Sequence, residues 1–438
     1  MIHALNETHD PRARSWVESA NQGESEFPIQ NLPFGVFAPL QGGAARIGVA
    51  IGDQVIDLDG CRERGLFSGE AAECAQVFGD DSLNRLMASG RRCWTAIRLQ
   101  LFHALRHDAT PGMRERLRLL PISDVEMRLP ARVGDYTDFY ASIHHATNVG
   151  SMLRPDNPLL PNYKWLPVAY HGRASSLVAS GTPVRRPRGQ ISEAANQPPL
   201  FAPSRRLDYE AEVGFFIGPG NRLGEPVAIG RAEEHIFGLC LVNDWSARDL
   251  QTWEYQPLGP FLAKNFATTL SSWVVTLEAL APFRVAAAAR ATGDPRPLPH
   301  LFDADDQSSG GIALTVEVWL SSGQMRERRI VPVRLSCGRL SEMYWTPAQM
   351  VAHHGSNGCN LQSGDLLASG TLSGPTKSER GCLLELTWRG AEPITLPTGE
   401  QRRFLEDGDE VTLRGFCQRQ GAMRIGFGEC RGVVLPVL

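Results

Sequence analysis

Short apolar runs broken by glycine and proline fill the last two thirds of the chain, and they limit its possible folds more than any other feature. Runs of this length and composition are typical of β-strands. Their spacing predicts a mainly β protein of the α+β class. The runs are SSLVASG, EVGFFIGPGN, SSWVVTLEAL, ALTVEVWLSSG, GDLLASGTLSGP, CLLELTWRG, DEVTLRGFC and RIGFGECRGVVLPVL.

Two units separate along the chain. Residues 1–24 form a polar lead-in, and residues 25–125 contain the strand-like FGVFAP and RIGVAIGDQVIDL before a more helical stretch, SLNRLMASGRRCWTAIRLQLFHALRH. Residues 126–438 hold the short apolar runs. One long segment, residues 285–311, has no strand period and is expected to loop outside the core.

Composition narrows the protein class. The 438 residues are 42% hydrophobic, which is enough for one large or two ordinary domains. The net charge of -4, without a long basic run, argues against a nucleic-acid partner. No segment resembles a signal peptide or reaches the ~20 apolar residues of a membrane span. Nine cysteines without a CxxC pair predict reduced thiols and a cytoplasmic location.

An alternating acidic stretch, RRLDYEAEVGFFIG at residues 205–218, gives the first chemical signal. Successive side chains of a strand point to opposite faces, so Asp208, Glu210 and Glu212 share one face. That face must meet solvent, cations or a metal ion. A solvated face is the commoner outcome for such a short pattern, so other acids have to decide.

Two further acids change that balance. Asp244 ends the apolar run IFGLCLVNDW, and Asp138 lies in the aromatic setting GDYTDFY. A charge at the end of a buried strand needs a partner. If four carboxylates meet, a divalent cation is the natural neutraliser, and ligation by oxygen alone favours Ca²⁺ or Mg²⁺ over zinc or copper.

Histidine and lysine residues supply further candidates. His144 and His145 are adjacent, so their side chains point in different directions and at most one should act in catalysis; the spacing does not choose between them. The chain has 41 arginines but only three lysines, Lys164, Lys264 and Lys377. Where arginine is the default cation, Lys264 in GPFLAKNF indicates a site that needs a compact ammonium, with chance as the alternative.

Several long motifs together resemble the fumarylacetoacetase family over nearly the whole chain. They are FPIQNLPFGVF, DYTDFYASIHHATNVGSMLRP, LPVAYHGRASSLVASGTPVRRPRGQ, LDYEAEVGFFIGPGN, NDWSARDLQTWEYQPLGPFLAKNF, EMYWTPAQMVAHHGSNGCNLQSGDLLASGTLSGP and GFGECRGVVLPVL. Their ungapped length makes the resemblance specific to this family rather than to its superfamily. His144, Gly355 and the loop from about 284 to 311 depart from the family pattern without touching its catalytic positions.

The resemblance implies a fold and an activity. The fold would be a small SH3-like β-barrel followed by a mixed β-sandwich roll, assembled as a homodimer. The activity would be metal-dependent hydrolysis of a carbon-carbon bond in 4-fumarylacetoacetate, a β-diketo acid, to fumarate and acetoacetate, the last step of tyrosine and phenylalanine catabolism. Two alternatives stay open, a related acylpyruvate hydrolase or hydratase acting on another oxo-acid and a noncatalytic metal-stabilised β-protein.

The resemblance also implies roles for individual residues. Metal ligands would be Asp138, Glu210, Glu212 and Asp244, with Lys264 and Thr268 near a further magnesium contact; Asp208 is outside this set. The general base would be His145, with Glu385 as its carboxylate partner. Developing negative charge would be met by Arg248, Gln251 and Lys264. Substrate would be held by Tyr140, Arg154, Tyr170, Gln251, Tyr255 and Thr371.

Overall fold

An antiparallel sheet of five strands forms the first unit in the computed structural model, which describes residues 4–194 and 196–438. The strands are β1 (Phe34–Pro39), β2 (Arg46–Ile51), β3 (Gln54–Asp57), β4 (Leu119–Pro121) and β5 (Val125–Met127). They lie in the order β4-β3-β2-β1-β5, so β4 and β5 are the edges of the sheet.

Helices cover this sheet. They are α1 (Leu58–Glu63), α2 (Gly69–Cys74), α3 (Asn84–Ala88), α4 (Arg91–Leu105) and α5 (Pro111–Arg116). The helical stretch predicted from the sequence is confirmed by α3 and α4. Trp94, Ile97 and Leu101 recur at helical spacing in α4 and are buried.

A disulfide joins two helices of the first unit. Cys74 at the end of α2 is bonded to Cys93 in α4, with their Cα atoms 6.0 Å apart. The prediction of reduced thiols is therefore wrong for this pair, because helix packing brings together two cysteines whose spacing gave no sign of pairing. The seven other cysteines of the described chain are free.

The polar lead-in packs against both units. Thr8 and His9 are buried, and His9 Nε2 lies 2.8 Å from the carbonyl oxygen of Glu278 in the second unit. Thr95 of α4 donates a hydrogen bond to the Glu278 carboxylate at 2.8 Å. The N-terminal segment therefore helps to hold the first unit against the second.

The second unit contains the remaining strands. They are β6 (Tyr136–Phe139), β7 (Ala169–Gly172), β8 (Leu177–Ala179), β9 (Val184–Arg185), β10 (Arg188–Ile191), β11 (Leu200–Pro203), β12 (Leu207–Asp208), β13 (Ala211–Ile217), β14 (Ile236–Asp244), β15 (Ser246–Ala247), β16 (Thr268–Leu270), β17 (Val275–Thr276), β18 (Arg284–Val285), β19 (Gly311–Ile312), β20 (Leu314–Ser321), β21 (Val333–Arg339), β22 (Leu366–Ala368), β23 (Ile394–Thr395), β24 (Gln401–Arg402), β25 (Glu410–Cys417) and β26 (Ile425–Leu435).

Two larger sheets organise this unit. One follows the order β7-β6-β22-β13-β14-β16-β8 and is mixed, because β6 and β22 pair in parallel, as do β16 and β8. The other follows β21-β20-β25-β26-β9. The largest core cluster includes Phe215 and Leu241 from the first of these sheets with Val318 and Leu413 from the second. The prediction of a strand-rich chain with helices is confirmed at this level.

The mixed sheet is buried on both faces. Phe215 of β13 belongs to the core of the second unit, whereas Phe216 belongs to a cluster shared with the first unit. In that shared cluster, the rings of Trp94 and Phe237 pack edge to face with centroids 4.9 Å apart. An acidic residue on either face of β13 is therefore excluded from bulk water.

Six α-helices complete the described part of the second unit. They are α6 (Ile143–Leu153), α7 (Arg248–Glu254), α8 (Ala304–Ser309), α9 (Gly323–Glu327), α10 (Pro347–Gly355) and α11 (Leu383–Leu386). Among the described residues, no helix combines the length and apolar composition needed to cross a bilayer.

Two sequence expectations are wrong here. CLLELTWRG, predicted as a strand, contains the short helix α11, because the Asp208 carboxylate accepts the backbone N–H groups of Leu383 and Leu384. Residues 285–311 are not entirely outside the core. Leu301 is fully buried, and the side chain of Asp303 caps α8.

Candidate active site

Four buried carboxylates converge on or beside β6, β13 and β14, which are interior strands of the mixed sheet. One ligand oxygen from each lies within 4.8 Å of the others, and the residues are Asp138, Glu210, Glu212 and Asp244. Strand order explains the convergence: β6 and β13 both pair with β22, and β13 pairs with β14. The Asp244 N–H donates to the Glu210 carbonyl at 3.1 Å, which sets these two residues side by side. We call this group the acidic cage.

Two basic side chains neutralise one half of the acidic cage. Lys264 Nζ lies 2.5 Å from Glu210 Oε2 and 2.6 Å from Asp244 Oδ2. Arg248 Nη1 lies 2.6 Å from Glu210 Oε1, and Thr268 donates to Asp244 Oδ1 at 2.6 Å. Burial would lower the pKa of Lys264, but the carboxylates of Asp244 and Glu210 outweigh it and raise this pKa well above its usual value. The ammonium therefore stays charged.

The other half of the acidic cage has no such partners. Both carboxylate oxygens of Glu212 and Oδ1 of Asp138 are buried without a hydrogen-bond partner in the described chain. Burial and the neighbouring carboxylates raise the pKa of both groups well above their usual values. Unsatisfied buried carboxylates are costly. Two uncompensated charges with oxygen donors match the charge and the ligand preference of one Ca²⁺ or Mg²⁺ ion.

A histidine-carboxylate pair is the second component of the site. His145 lies in the first turn of α6, where Ser142 Oγ caps the helix by accepting the His145 N–H. Its Nδ1 is 2.6 Å from Glu385 Oε2, and both side chains are buried. The other ring nitrogen, Nε2, has no hydrogen-bond partner among the described residues. His144 is less buried and forms no bond to Glu385, so the two histidines, which the spacing left equivalent, differ in their contacts.

The Glu385 carboxylate is held in its ionised form. Burial opposes ionisation, but His145 and hydrogen bonds from Asn148 and Ser373 lower the pKa of Glu385 to about 2. Asn148 Nδ2 donates to Oε1 at 2.8 Å, and Ser373 Oγ donates to Oε2 at 2.7 Å. Because the anion accepts from Nδ1, it fixes the tautomer with an unprotonated Nε2.

Arg248 connects the acidic cage to Gln251 and Asp208. Besides Glu210, its Nη1 donates to Gln251 Oε1 at 3.1 Å, and its Nε donates to Asp208 Oδ2 at 2.9 Å. Its Nη2 is buried without a partner in the described chain. Arg248 therefore keeps a free N–H group that a bound molecule could use.

The five tyrosine, arginine and threonine residues predicted to hold substrate differ in whether they contact the acidic cage or His145. The Tyr140 ring packs edge to face on His145 with centroids 5.2 Å apart, and the Tyr170 hydroxyl donates to Asp244 at 3.0 Å. Thr371 Oγ1 and Arg154 Nε are buried without partners in the described chain. No described hydrogen bond, ion pair or ring contact joins Arg154 or Tyr255 to the acidic cage or to His145.

Three residues of the site were not predicted. Asn148 follows His145 by one helical turn, a spacing that could have indicated a shared face. Ser373 lies outside any periodic pattern, and its sequence context gave no signal. Asp208 was recognised on the acidic face, but its role in contacting both Arg248 and α11 depends on contacts distant in sequence.

Comparison with known proteins identifies close relatives. The chain matches the family model described as fumarylacetoacetate hydrolase C-terminal over residues 135–435 and the one described as fumarylacetoacetase N-terminal over residues 30–130. It is 48% identical to the fumarylacetoacetase of Bos taurus over 430 residues, which cover 95% of this chain and 97% of that protein. It is also 48% identical to the fumarylacetoacetase of Homo sapiens over 422 residues, with the same coverage of both chains.

A solved structure supports the fold. A fumarylacetoacetate hydrolase from psychrophilic Exiguobacterium antarcticum superposes with a TM-score of 0.51 at 17% identity, covering 92% of this chain and 99% of that chain. At this identity the likeness concerns the fold alone.

Proposed function

The chain belongs to the fumarylacetoacetase family, and on that premise we propose that it hydrolyses the carbon-carbon bond of 4-fumarylacetoacetate to fumarate and acetoacetate in tyrosine and phenylalanine catabolism. The 48% identity over nearly the full length of the relatives confirms the family and the activity predicted from the motifs. The observation that supports the mechanism is the buried His145–Glu385 pair, whose imidazole interacts electrostatically with Glu210 of the acidic cage.

His145 acts as the general base. Its Nε2 takes a proton from a water molecule, whose oxygen attacks the carbonyl carbon next to the fumaryl portion of the substrate. The Glu385 carboxylate, held ionised, stabilises the imidazolium that forms. No covalent intermediate with the protein is required.

Arg248, Gln251 and Lys264 meet the developing oxyanion. Arg248 Nη2 is free to donate, and Lys264 uses only two of its three N–H bonds on carboxylates. Both groups are in place before the reaction begins, which is the condition for effective charge stabilisation. Collapse of the tetrahedral species breaks the carbon-carbon bond, and the electron pair leaves with the acetoacetate portion as an enolate. The proton that His145 took from water then protonates this enolate.

The acidic cage would hold a divalent cation, Ca²⁺ or Mg²⁺, through Asp138, Glu210, Glu212 and Asp244. Lys264 and Thr268 both contact Asp244 and would lie near a further magnesium contact. The unsatisfied oxygens of Asp138 and Glu212 support this assignment. When bound, such an ion supplies Lewis-acid polarisation of the substrate oxygens.

The substrate is held by side chains around this centre. Tyr140 and Tyr170 contact His145 and Asp244 directly, and Gln251 adjoins Arg248. The unpartnered polar atoms of Thr371 and Arg154 are available to an anionic ligand, and a guanidinium can bind a carboxylate in two places. Tyr255, which follows α7, completes the proposed set.

Assembly and fold details extend the proposal. An SH3-like barrel at 25–125, a β-sandwich roll at 126–438, a cytoplasmic location and a homodimer accord with the family. Exposed apolar side chains on α7 and the following loop suit a dimer contact, and they are Trp253, Leu258, Phe261 and Leu262. Light scattering coupled to gel filtration measures the assembly, and a monomer at working concentration would contradict the homodimer.

The direct test of function is a turnover assay. Mixing the purified protein and Mg²⁺ or Ca²⁺ with fumarylacetoacetate should remove the absorbance of the diketone and yield equal amounts of fumarate and acetoacetate. An acylpyruvate serves as the competing substrate. Preferential cleavage of the acylpyruvate would favour that alternative, and metal-dependent stability without cleavage of either compound would favour a noncatalytic protein.

Lys264→Arg should lower kcat at least ~10²-fold, the loss typical of a removed oxyanion donor. The charge is kept, but the planar guanidinium cannot replace a compact ammonium enclosed between Glu210 and Asp244. The matched control is Lys377→Arg, because Lys377 is exposed and forms its ion pair with Glu392. Steady-state kinetics measure both variants. An active Lys264→Arg enzyme would mean that lysine at position 264 occurs by chance and is not required for turnover.

A further inference from the structure

Asp208 is a fully buried carboxylate outside the acidic cage, and three of its four hydrogen bonds come from Arg248 and from the helix that carries Glu385. Its Oδ1 accepts the backbone N–H groups of Tyr209 at 2.9 Å and Leu383 at 2.8 Å. Its Oδ2 accepts the N–H of Leu384 and Nε of Arg248, both at 2.9 Å. Tyr209, Arg248 and Leu383 are themselves buried, so Asp208 is not held at the protein surface.

Two of these hydrogen bonds fix the backbone that carries Glu385. Leu383 and Leu384 are the first residues of the four-residue helix α11, and Glu385 follows directly. N–H groups in a first helical turn have no partner within the helix. Because α11 is too short to be stable alone, these hydrogen bonds fix the backbone position from which the Glu385 side chain extends.

The bond to Arg248 fixes the other half of the apparatus. With Nε held by Asp208 and Nη1 by Glu210 and Gln251, the guanidinium plane has one orientation, and Nη2 is its unpartnered group. A guanidinium has donors in a rigid fork, so its first two contacts determine the direction of the third.

We propose that Asp208 is a positioning residue that couples the His145–Glu385 base to the Arg248 oxyanion donor. The Asp208 carboxylate sets the separation of the base, which takes a proton from the attacking water, and of Arg248, which donates to the oxyanion formed by that attack. This inference rests on the proposed hydrolysis, and it predicts that loss of Asp208 impairs the chemical step more than the binding of substrate or metal.

The test uses Asp208→Asn, which keeps the volume but whose amide nitrogen cannot accept hydrogen bonds. We expect kcat to fall about 10–100-fold, the range for loss of an orienting partner. KM should stay within about threefold of the wild-type value, and the Ca²⁺-induced rise in Tm within about a degree of it. Asp409→Asn is the matched control. Asp409 is also fully buried and bonds an arginine Nε and a backbone N–H, but its partners, Arg402 and Glu406, lie outside the site.

A double-mutant cycle separates positioning from general destabilisation. Asp208→Asn combined with Glu385→Gln should lose much less activity than the product of the two single losses, whereas Asp409→Asn with Glu385→Gln should be multiplicative. Normal kcat in Asp208→Asn, or multiplicative loss in its cycle, would overturn the coupling. Absence of turnover in the wild-type enzyme would instead reject the proposed hydrolysis.

A spectroscopic readout is independent of turnover. The proton shared between His145 Nδ1 and Glu385 should give a downfield ¹H NMR signal in the wild type, and Asp208→Asn should shift or broaden it while Asp409→Asn leaves it unchanged. If Asp208→Asn fails to fold, Arg248→Lys tests the same connection, because lysine keeps the charge without the Nε donor to Asp208. An unaltered His145 signal in the variant that folds would contradict the proposal.

Discussion

His145→Asn is expected to lower kcat by the ~10²–10⁴-fold typical of a missing general base. Asparagine roughly fills the space of the imidazole and can form hydrogen bonds, but it cannot take a proton from water at neutral pH. The base does not belong to the acidic cage, so metal affinity and substrate binding should survive. Rapid-mixing kinetics, calorimetry with Mg²⁺ or Ca²⁺, and binding of a substrate analogue measure the three properties separately.

Glu385→Gln should impair the same step, because a neutral amide cannot stabilise the imidazolium. If the two residues act as one unit, the double variant should lose far less than the product of the single losses. His144→Asn is the matched control: it lies next to His145 on α6 and forms no bond to Glu385. An active His145→Asn enzyme, or a folded His144→Asn enzyme that binds metal without turnover, would contradict the assignment of the base.

Glu212→Gln should change stability in opposite directions with and without metal. When a chelator removes the metal, the variant should be more stable than the wild type, because the substitution eliminates one of two uncompensated buried carboxylates. With metal, a wild-type protein at a concentration of ion 100 times its Kd gains about 2.7 kcal/mol, and the variant should lose most of this gain. Loss of a residue that ligates the metal directly should lower metal affinity by more than the ~10–100-fold lost when an outer-shell partner is removed. Thermal unfolding in EDTA and in Ca²⁺ or Mg²⁺ measures both effects.

Asp365→Asn is the control for the acidic cage. Asp365 is buried and accepts the N–H groups of Asp135 and Gln362, but it is not a member of the cage. Its replacement should lower stability without changing the metal-induced shift. A Glu212→Gln protein that is less stable in chelator would contradict the argument from uncompensated charge, and one that keeps the full metal-induced shift would show that Glu212 is not a ligand.

The sequence by itself determined the chemical character of the site. Alternation placed Glu210 and Glu212 on one strand face, and the apolar run before Asp244 placed its charge at a buried strand end. The scarcity of lysine indicated Lys264. These signals are local, because strand and helix periods report which side chains share a face. They predicted a mainly β chain and, if the four acids meet, a site for a divalent cation; the long motifs added the family and the ligand set it implies.

Only the tertiary structure decided how these residues act together. The spacing left His144 and His145 equivalent, and the contact with Glu385, 240 residues away, distinguishes them. The run around Glu385 resembled a strand, yet Asp208, 175 residues before Leu383, holds it as a short helix. Convergence of the acidic cage follows from the order of β6, β22, β13 and β14. Periodicity contains no information about strand order or about hydrogen bonds between distant segments, because both are set by packing of the whole chain.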